Sequence, residues 1–330
     1  MSVRNILASI SQEIDDIFSY GFNINVSSTT SVPSFDDPVL TFESGKQKQA
    51  KEVTTCVLFI DIRNSTQLNL KYDAKELAKL YTAFTKGMII AADFHGGKIR
   101  NIIGDRIMVV FPQAACFTSA VDCAITMNMV SAQINNAFKG AKFECGIGID
   151  YGKMLVLKTG LYRRGDERNT NRNLVWLGEP ANIASKLTDM ANKTVDKHKV
   201  SIVRSVFNFW HDYKPRFIRG TLASALAANT SQSQFVDRSE SYDPLGFIKL
   251  LEWNKTKSAL ETRASVLKEF NFETQSVKTP SILITQPVYD GFKLHNPTRN
   301  DITDRLWKRQ DLTVPNYKNN ILGSSLTWKI

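Results

Sequence analysis

The spacing of apolar residues along the chain predicts alternating helices and strands. Near the N-terminus, apolar residues recur every three or four positions, which predicts an amphipathic helix over residues 1–22. Its apolar face carries Ile6, Ile10, Ile14, Ile17 and Phe18. The next segment is rich in Ser, Thr and Asn, and we interpret residues 23–50 as a linker. A folded domain is therefore predicted to begin at residue 51.

Within this domain, runs with a period of two alternate with runs that have helical spacing. We predict strands at residues 55–62, 98–103, 106–111, 143–150, 152–158 and 174–178, and helices at residues 73–94, 115–137 and 180–193. Gly104 and Asp105 separate two of these strands, which is typical of a two-residue hairpin turn. Hairpins combined with long helices predict an α+β fold, in which helices cover a mostly antiparallel sheet.

The second half of the chain has a less regular pattern. Short apolar runs predict two further strands, at residues 215–219 and 247–253. We interpret the polar segment between them, residues 221–245, as a mobile insertion. The predicted domain therefore spans residues 51–255. Residues 256–330 form a C-terminal extension to which the pattern assigns no role, although its first part, residues 256–270, has helical character.

One acidic residue interrupts an apolar strand. Asp61 follows four apolar residues, Val57 to Ile60, and precedes Ile62, after which the chain becomes polar. An unpaired carboxylate at the end of an apolar strand is costly, so Asp61 needs a partner such as a cation, an arginine or several N–H donors. A capped turn is the alternative, because aspartate commonly caps turns and helices. This stretch alone does not separate a metal ligand from a capping residue.

Composition and charge limit the function classes. The 330 residues are 42% hydrophobic, enough for a sizeable core, and no apolar run approaches the roughly 18 residues of a membrane span. The N-terminus lacks the apolar segment of a secretion signal, so we expect a cytoplasmic protein. The formal charge of +10 suits a nucleic acid or an anionic small ligand, but the basic residues are scattered, which favours a solvated basic surface. Four cysteines without metal-ligand spacing are expected to be reduced core residues.

Asp105 offers a partner for Asp61. If the hairpin pairs beside the strand at 55–62, Asp105 lies next to Asp61 at one end of the sheet, where the two carboxylates repel each other. A divalent cation relieves that repulsion, and carboxylate and carbonyl oxygens suit Mg²⁺ or Mn²⁺ rather than zinc. For Asp105 alone, a Gly-Asp turn without a ligand is the alternative. Backbone N–H groups of the loop that follows Ile62 are predicted to receive a phosphate.

Four stretches together resemble the catalytic domain of the class III nucleotidyl cyclases. They are FIDIRNST, IIGDRIMVVF, CGIGIDYGKMLV and LGEPANIASKL, which occur in the order and at roughly the spacing of that family, over about residues 50–255. The resemblance implies a ferredoxin-like α+β domain that forms a head-to-tail homodimer, with the active sites at the interface. It also implies that residues 159–173 form the dimerisation arm that reaches the partner subunit.

The same resemblance implies the reaction and part of the site. Class III cyclases convert a nucleoside triphosphate into a 3′,5′-cyclic monophosphate and pyrophosphate with two divalent cations, Mn²⁺ or Mg²⁺. The family's metal ligands correspond to Asp61, the carbonyl of Ile62 and Asp105. The residues implied to contact the triphosphate are Phe59, Arg63, Asn64, Ser65, Thr66 and Arg219.

The helical motif supplies two implied catalytic residues, Asn182 and Lys186. Their spacing of four places both on one face of the helix. The family usually has arginine at the position of Lys186, so a point charge replaces a bidentate phosphate contact. Without the surrounding motifs, a solvated Asn and Lys would be an equally good interpretation.

The positions that select the base match neither purine pattern. Adenylate cyclases of this family carry lysine four residues before the second metal aspartate, and aspartate three residues before the glycine of the helical motif; guanylate cyclases carry glutamate and cysteine. This chain has Asn101 and Val175 there, with Arg100 beside Asn101. A neutral amide can pair with uracil or, turned over, with cytosine. The chain therefore resembles the pyrimidine cyclases of the bacterial Pycsar anti-phage system, whose cyclic UMP or cyclic CMP activates a separate effector.

Together, these expectations predict that the protein is a homodimeric uridylate cyclase that converts UTP into cyclic UMP and pyrophosphate. The alternatives are a cytidylate cyclase, an adenylate cyclase and a catalytically degenerate nucleotide-sensing domain. A basic nucleic-acid-binding module is disfavoured, because no clustered basic face accompanies the net charge. We therefore expect neither nucleic acid nor a membrane as a direct partner.

Overall fold

The computed structural model describes residues 2–42, 47–138, 143–160, 172–207, 235–262 and 265–329. The helices are α1 (Val3–Phe18), α2 (Ser65–Lys71), α3 (Ala74–Phe94), α4 (Cys116–Ala137), α5 (Glu179–Met190), α6 (Pro244–Ile248), α7 (Gln286–His295) and α8 (Asn300–Thr303). The strands are β1 (Asn23–Thr29), β2 (Gln47–Ile62), β3 (Lys98–Ile103), β4 (Arg106–Val110), β5 (Cys145–Gly160), β6 (Arg172–Leu177), β7 (Thr194–Phe207), β8 (Phe235–Tyr242), β9 (Leu251–Asn254), β10 (Ala259–Thr262), β11 (Ser265–Lys278), β12 (Ile282–Thr285), β13 (Lys308–Gln310) and β14 (Ile321–Ser324).

The chain forms two compact units. One comprises Met1–Lys193 together with Thr279–Ile330, and the other comprises Thr194–Lys278. In the described part of the larger unit, a sheet runs in the order β13-β14-β12-β5-β2-β4-β3, with β1 beside β2 and β6 beside β5. Its strand pairs are antiparallel except β1–β2 and β5–β12. The predicted α+β fold with a mostly antiparallel sheet is therefore confirmed.

Strand alternation divides the core of the larger unit into two sides. Alternate residues of β2, among them Leu58 and Ile60, pack with the long helices α3 and α4 and with α7. The intervening residues, such as Val57 and the half-buried Phe59, pack with β4, β5 and α5. Helix α4 is long and apolar enough to cross a membrane, but its buried residues form part of this core. The residues of α1, by contrast, are all exposed.

Local sequence explains where the covering helices begin. The Asp73 side chain accepts hydrogen bonds from the backbone N–H groups of Lys75 and Glu76, and the Glu76 carboxylate accepts one from the N–H of Asp73. These bonds form a capping box before α3. Pro180 occupies the first turn of α5, where its missing N–H costs no helical hydrogen bond. The helices predicted at 73–94, 115–137 and 180–193 correspond to α3, α4 and α5.

The smaller unit is built on a three-stranded antiparallel sheet in the order β11-β7-β8. Strands β7 and β11 pair along nearly their whole length, from Thr194 opposite Lys278 to Val206 opposite Ser265. A separate hairpin joins β9 and β10. The predicted helical segment 256–270 is therefore wrong, because its residues form β10 and β11, where cross-strand pairing overrides local helical preference.

Several predicted boundaries also need correction. The predicted linker 23–50 contains β1, which pairs with the first part of β2, so β2 starts at Gln47 and not at residue 55. The predicted strands 143–150 and 152–158 form the single strand β5, since Gly152 makes room for Pro180 and does not form a turn. Within the predicted insertion 221–245, residues 235–242 form β8. The predicted strand 215–219 lies outside the described residues, and 247–253 is shared between α6 and β9.

The predicted boundary at residue 255 does not divide the chain. The predicted extension 256–330 contributes β11 to the smaller unit and β12, β13 and β14 to the larger one. Strand β12 pairs directly with β5, with Ile282 opposite Ile147 and Ile284 opposite Ile149. The last part of the chain therefore completes the sheet that carries Asp61.

Candidate active site

Strand β2 delivers Asp61 to the end of the sheet. Asp61 is the penultimate residue of β2 and its side chain is 16% exposed, whereas Ile62 is buried on the opposite face. Asp105 lies on the tight turn between β3 and β4, after Gly104, whose φ of 60° favours glycine. The register of β2 against β4 continues from Ile60 opposite Ile107 toward this turn. The hairpin therefore brings Asp105 next to Asp61, as the sequence predicted.

The two carboxylates lie close enough to interact electrostatically. Burial raises the pKa of Asp105, and the negative charge of Asp61 raises it further, although a hydrogen bond with Ser65 opposes the shift. Burial and the same two charges raise the pKa of Tyr81 on α3. Two acidic groups are thus held together in a partly desolvated place, where a positive charge is favoured.

Two arginines contact Asp61. Arg106 Nη2 donates to Asp61 Oδ2 at 2.7 Å, and Arg63 Nη2 donates to the same oxygen at 3.3 Å. Arg63 is only 6% exposed, and its backbone N–H donates to Glu144 O at 2.7 Å, which fixes the chain just after β2. Among the described residues, buried Arg63 Nε has no hydrogen-bond partner. The chain then turns through Asn64, whose φ of 55° is left-handed, and enters α2.

Helix α5 supplies a third carboxylate. Arg106 Nη2 also donates to Asp189 Oδ1, and Arg106 Nη1 donates to Ser185 Oγ at 2.9 Å. Ser185 and Asp189 are four residues apart and so lie on one face of the helix. Burial lowers the pKa of Arg106, but the hydrogen bonds that it donates to Asp61 and Asp189 outweigh this effect, so that the pKa is raised overall.

Close packing holds α5 against the strands. A Cβ atom at Gly148 would meet Ala184 O and would lie 2.5 Å from Thr188 N, so only glycine permits this approach. Thr188 Oγ1 donates to Phe59 O at 3.0 Å and ties the helix to β2. This packing places Ser185 and Asp189 beside the acidic pair.

Sequence reasoning missed Arg106, Ser185 and Asp189. Arg106 follows Asp105 directly, and strand alternation puts it on the same side of β4 as Met108, which faces the α5 side of the sheet. Asp189 follows Ser185 by four residues, so the spacing alone predicts that both lie on one face of α5. The sequence contained no signal that this face lies over Asp61.

The predicted catalytic residues of α5 lie apart from the acidic pair. Asn182 is exposed, and Lys186 Nζ donates to Pro315 O at 3.2 Å. Among the described contacts, none links Asn182 or Lys186 to Asp61 or Asp105. The structure therefore does not bring the two predicted groups together within one chain.

The predicted base-selecting residues lie on two different strands. Asn101 is half-buried on β3, the edge strand, opposite Met108, and Val175 is half-buried on β6, opposite Leu157. A register shift between Ile99 and Asn101 leaves Arg100 at a β-bulge. Arg100 Nη1 donates to Ile99 O at 2.9 Å, and its buried Nε has no hydrogen-bond partner in the part of the chain that the structure describes. Burial lowers the pKa of Arg100.

The predicted triphosphate contacts are only partly described. Phe59 is half-buried on β2, Asn64 is exposed before α2, and Ser65 and Thr66 are the first residues of that helix. Arg219 and most of the predicted arm 159–173 lie outside the described residues. The described residues lie on both sides of Asp61, within residues 59–66.

The oxygen ligands available here fit a hard divalent cation. Asp61 and Asp105 are carboxylates, and Ile62 offers a backbone carbonyl at the end of β2. Such ligands suit Mg²⁺ and Mn²⁺. The guanidinium groups on Asp61 Oδ2 already show that the pair attracts positive charge.

Comparisons with known proteins show which proteins this chain resembles. The family described as "Adenylate and Guanylate cyclase catalytic domain" matches residues 46–216. A uridylate cyclase from Gulbenkiania mobilis is 29% identical over 217 residues, which cover 62% of this chain and 77% of the relative. A uridylate cyclase from Burkholderia cepacia is 33% identical over 174 residues, which cover 51% and 71%. The crystal structure of the adenylyl cyclase CyaB from P. aeruginosa aligns with a TM-score of 0.44 and 16% identity, over 83% of this chain and 93% of that one.

Proposed function

Because the chain belongs to the adenylate and guanylate cyclase catalytic domain family, it is a nucleotide cyclase, and we propose that it converts UTP into 3′,5′-cyclic UMP and pyrophosphate. The observation that carries the proposal is the convergence of Asp61 and Asp105 at the end of β2. The relatives named uridylate cyclase support the choice of base.

Asp61, Asp105 and the carbonyl of Ile62 are proposed to hold two Mn²⁺ or Mg²⁺ ions. Two neighbouring carboxylates favour a cation between them, and burial together with the negative charge of Asp61 raises the pKa of Asp105. When bound, such ions lower the pKa of a ribose 3′-hydroxyl and stabilise negative charge on the α-phosphate. The protein's part is to hold the two carboxylates at one strand end.

The turn after β2 is proposed to bind the triphosphate. Arg63 supplies a guanidinium with a buried, unpartnered Nε, and Asn64, Ser65 and Thr66 place polar side chains directly after it. Phe59 lies two positions before Asp61 on the same side of β2. Arg219 is proposed as a further phosphate contact from the resemblance alone.

Asn182 and Lys186 are proposed to complete the active site of a partner subunit in a head-to-tail homodimer. Neither has a described contact with the acidic pair of its own chain, and the amine of Lys186 has a single carbonyl contact, with Pro315. An amine held by one exposed contact can turn toward a phosphate at small cost. Residues 159–173 are proposed as the arm of this dimer.

The base is proposed to contact Asn101, with Val175 and Arg100 nearby. The Asn101 amide can accept from uracil N3–H and donate to a uracil carbonyl, and the buried Nε of Arg100 is a spare donor. With its amide turned over, Asn101 would pair with cytosine, so CTP is the second candidate. Asn101 is neutral, whereas the adenylate cyclases carry lysine and the guanylate cyclases carry glutamate at this position.

The product is proposed to act as a second messenger in anti-phage defence, through a separate effector that binds cyclic nucleotides. This proposal rests on the resemblance to pyrimidine cyclases and implies an enzyme that works in the cytoplasm. The ligand that the enzyme itself is proposed to bind is the nucleoside triphosphate.

A substrate comparison tests the proposed reaction. The full chain is incubated with Mn²⁺ and with UTP, CTP, ATP or GTP in separate reactions, and the products are identified by mass. Cyclic UMP is expected as the main product. A preference for CTP would change the base, a preference for ATP would contradict the assignment of Asn101, and no product from any triphosphate would favour a nucleotide-sensing domain.

Paired variants test the proposed site. Asp61→Asn and Asp105→Asn are each expected to remove turnover by at least about two orders of magnitude, while the oligomeric state measured by light scattering stays unchanged. Asp73→Asn is the matched control, because it keeps the helix cap of α3 and lies outside the site. Full activity in either site variant would refute the assignment.

A further inference from the structure

Arg106 connects the acidic pair to helix α5. Although it follows Asp105 in sequence, its guanidinium lies on Asp61 Oδ2 at 2.7 Å and reaches across to Ser185 and Asp189 on α5. The side chain is 28% exposed, so this bridge is only partly screened by water. Arg106 therefore links the strand end and the helix through charge.

The same contacts place Arg106 in competition with a cation. A guanidinium and a divalent ion compete for Asp61 Oδ2, because like charges repel and both groups use the lone pairs of that oxygen. Arg106 has two other acceptors, Asp189 and Ser185, which it can keep after it leaves Asp61. A short withdrawal toward α5 would thus free the carboxylate without leaving the arginine unpaired.

We propose that Arg106 is a positioning residue that occupies Asp61 before a divalent cation binds, and that Asp189 with Ser185 receives its guanidinium when the cation arrives. The proposal rests on the metal site of the proposed function. In this role Arg106 controls the affinity for the metal. The arginine stabilises Asp61 and Asp105 when no metal is bound, and a divalent cation must displace it from Asp61 in order to bind.

Metal titration of the full chain tests this assignment without any nucleotide. Binding of Mn²⁺ is measured from the electron paramagnetic resonance signal of the free ion. Arg106→Gln removes the nearer of the two guanidinium groups on Asp61 Oδ2 and leaves that of Arg63 in place. It is expected to tighten Mn²⁺ binding about tenfold, the equivalent of one partly exposed charge pair. Asp189→Asn weakens the position to which the guanidinium withdraws, and is expected to weaken Mn²⁺ binding.

Arg299 provides a matched control. It also bridges two carboxylates, Asp122 and Asp301, but in another part of the larger unit. Arg299→Gln is expected to leave the affinity for Mn²⁺ unchanged. Unchanged or weaker binding by Arg106→Gln would overturn the proposal.

A thermal readout separates competition from a merely structural role. Arg106→Gln is expected to lower the melting temperature in EDTA, and this deficit should shrink when Mn²⁺ is added, because the ion takes over the charge balance of Asp61 and Asp105. An equal deficit in EDTA and Mn²⁺ would overturn the proposal.

The variant Asp61→Asn separates a failure of the role proposed for Arg106 from a failure of the proposed metal site. If Asp61→Asn abolishes Mn²⁺ binding while Arg106→Gln does not tighten it, only the competition fails and the proposed metal site stands. If the wild-type chain and Asp61→Asn bind Mn²⁺ equally, the metal site of the proposed function fails, and the role of Arg106 fails with it.

Discussion

Asp150 offers a test of how burial sets the stability of the larger unit. The side chain lies on β5 beside a cavity of about 480 Å³ and is only 4% exposed. Thr285 Oγ1 donates to Asp150 Oδ1 at 2.6 Å, and this bond joins β5 to β12. Burial raises the pKa of Asp150 from 3.8 to about 6, against the opposing effect of the Thr285 hydrogen bond. The variant to make is Asp150→Asn.

The sign of the effect follows from proton binding. Between pH 4 and pH 6 the folded state holds a proton on Asp150 that the unfolded state has lost, so the free energy of unfolding falls as pH rises through this window. Above the folded pKa, a shift of about two units corresponds to a penalty of up to about 3 kcal/mol. Asn has no charge to bury and keeps an acceptor for Thr285, so it should avoid that penalty.

Urea unfolding at pH 4 and pH 7.5 measures the effect. Asp150→Asn is expected to match the wild type at pH 4 and to be more stable at pH 7.5, by at most about 3 kcal/mol. Asp93→Asn, a change at an exposed residue of α3, is expected to show no such pH-dependent gain. If Asp150→Asn were less stable than the wild type at pH 7.5 and equal to it at pH 4, the carboxylate would be stabilising and the argument from burial would be refuted.

Three further changes test the packing of the larger unit, each by urea or thermal unfolding. Gly148→Ala is expected to cost about 2 kcal/mol or more, because its Cβ would meet the backbone of α5, whereas Gly152→Ala meets only the ring of Pro180 and should cost less; equal losses would contradict this account. Phe84→Ala removes a fully buried ring packed edge-on against Phe143 and is expected to cost about 3–5 kcal/mol, and a loss below about 1 kcal/mol would show that the site is poorly packed. Asp73→Ala is expected to cost about 1 kcal/mol through loss of the α3 cap, and most of it should be recovered in Asp73→Asn.

Local pattern predicted the elements that carry their own signals. Helices α3 and α5 have apolar residues at helical spacing and clear start residues, Asp73 and Pro180. The predicted bounds of α3, α4 and α5 agree closely with the structure. Gly104 and Asp105 marked the hairpin turn, and the turn brought Asp105 to Asp61. These features depend on neighbours within a few positions, which the sequence displays directly.

Pairing between distant segments was beyond the local pattern. The Ser- and Thr-rich segment that we interpreted as a linker contains β1, and the segment with helical character forms β10 and β11, because partner strands decided their conformation. Strand β12 pairs with β5, although the whole smaller unit, Thr194–Lys278, lies between these two strands in the sequence. No short-range rule connects such segments.

The candidate site divides in the same way. By itself, the sequence determined which oxygens lie at the end of β2, since Asp61 and Asp105 follow from one strand and one turn. Only the tertiary structure decided that Arg106 lies on Asp61 and meets Asp189, 83 positions further along the chain. That contact depends on how closely α5 packs over Gly148, a distance set by the whole core and not by any local run of residues.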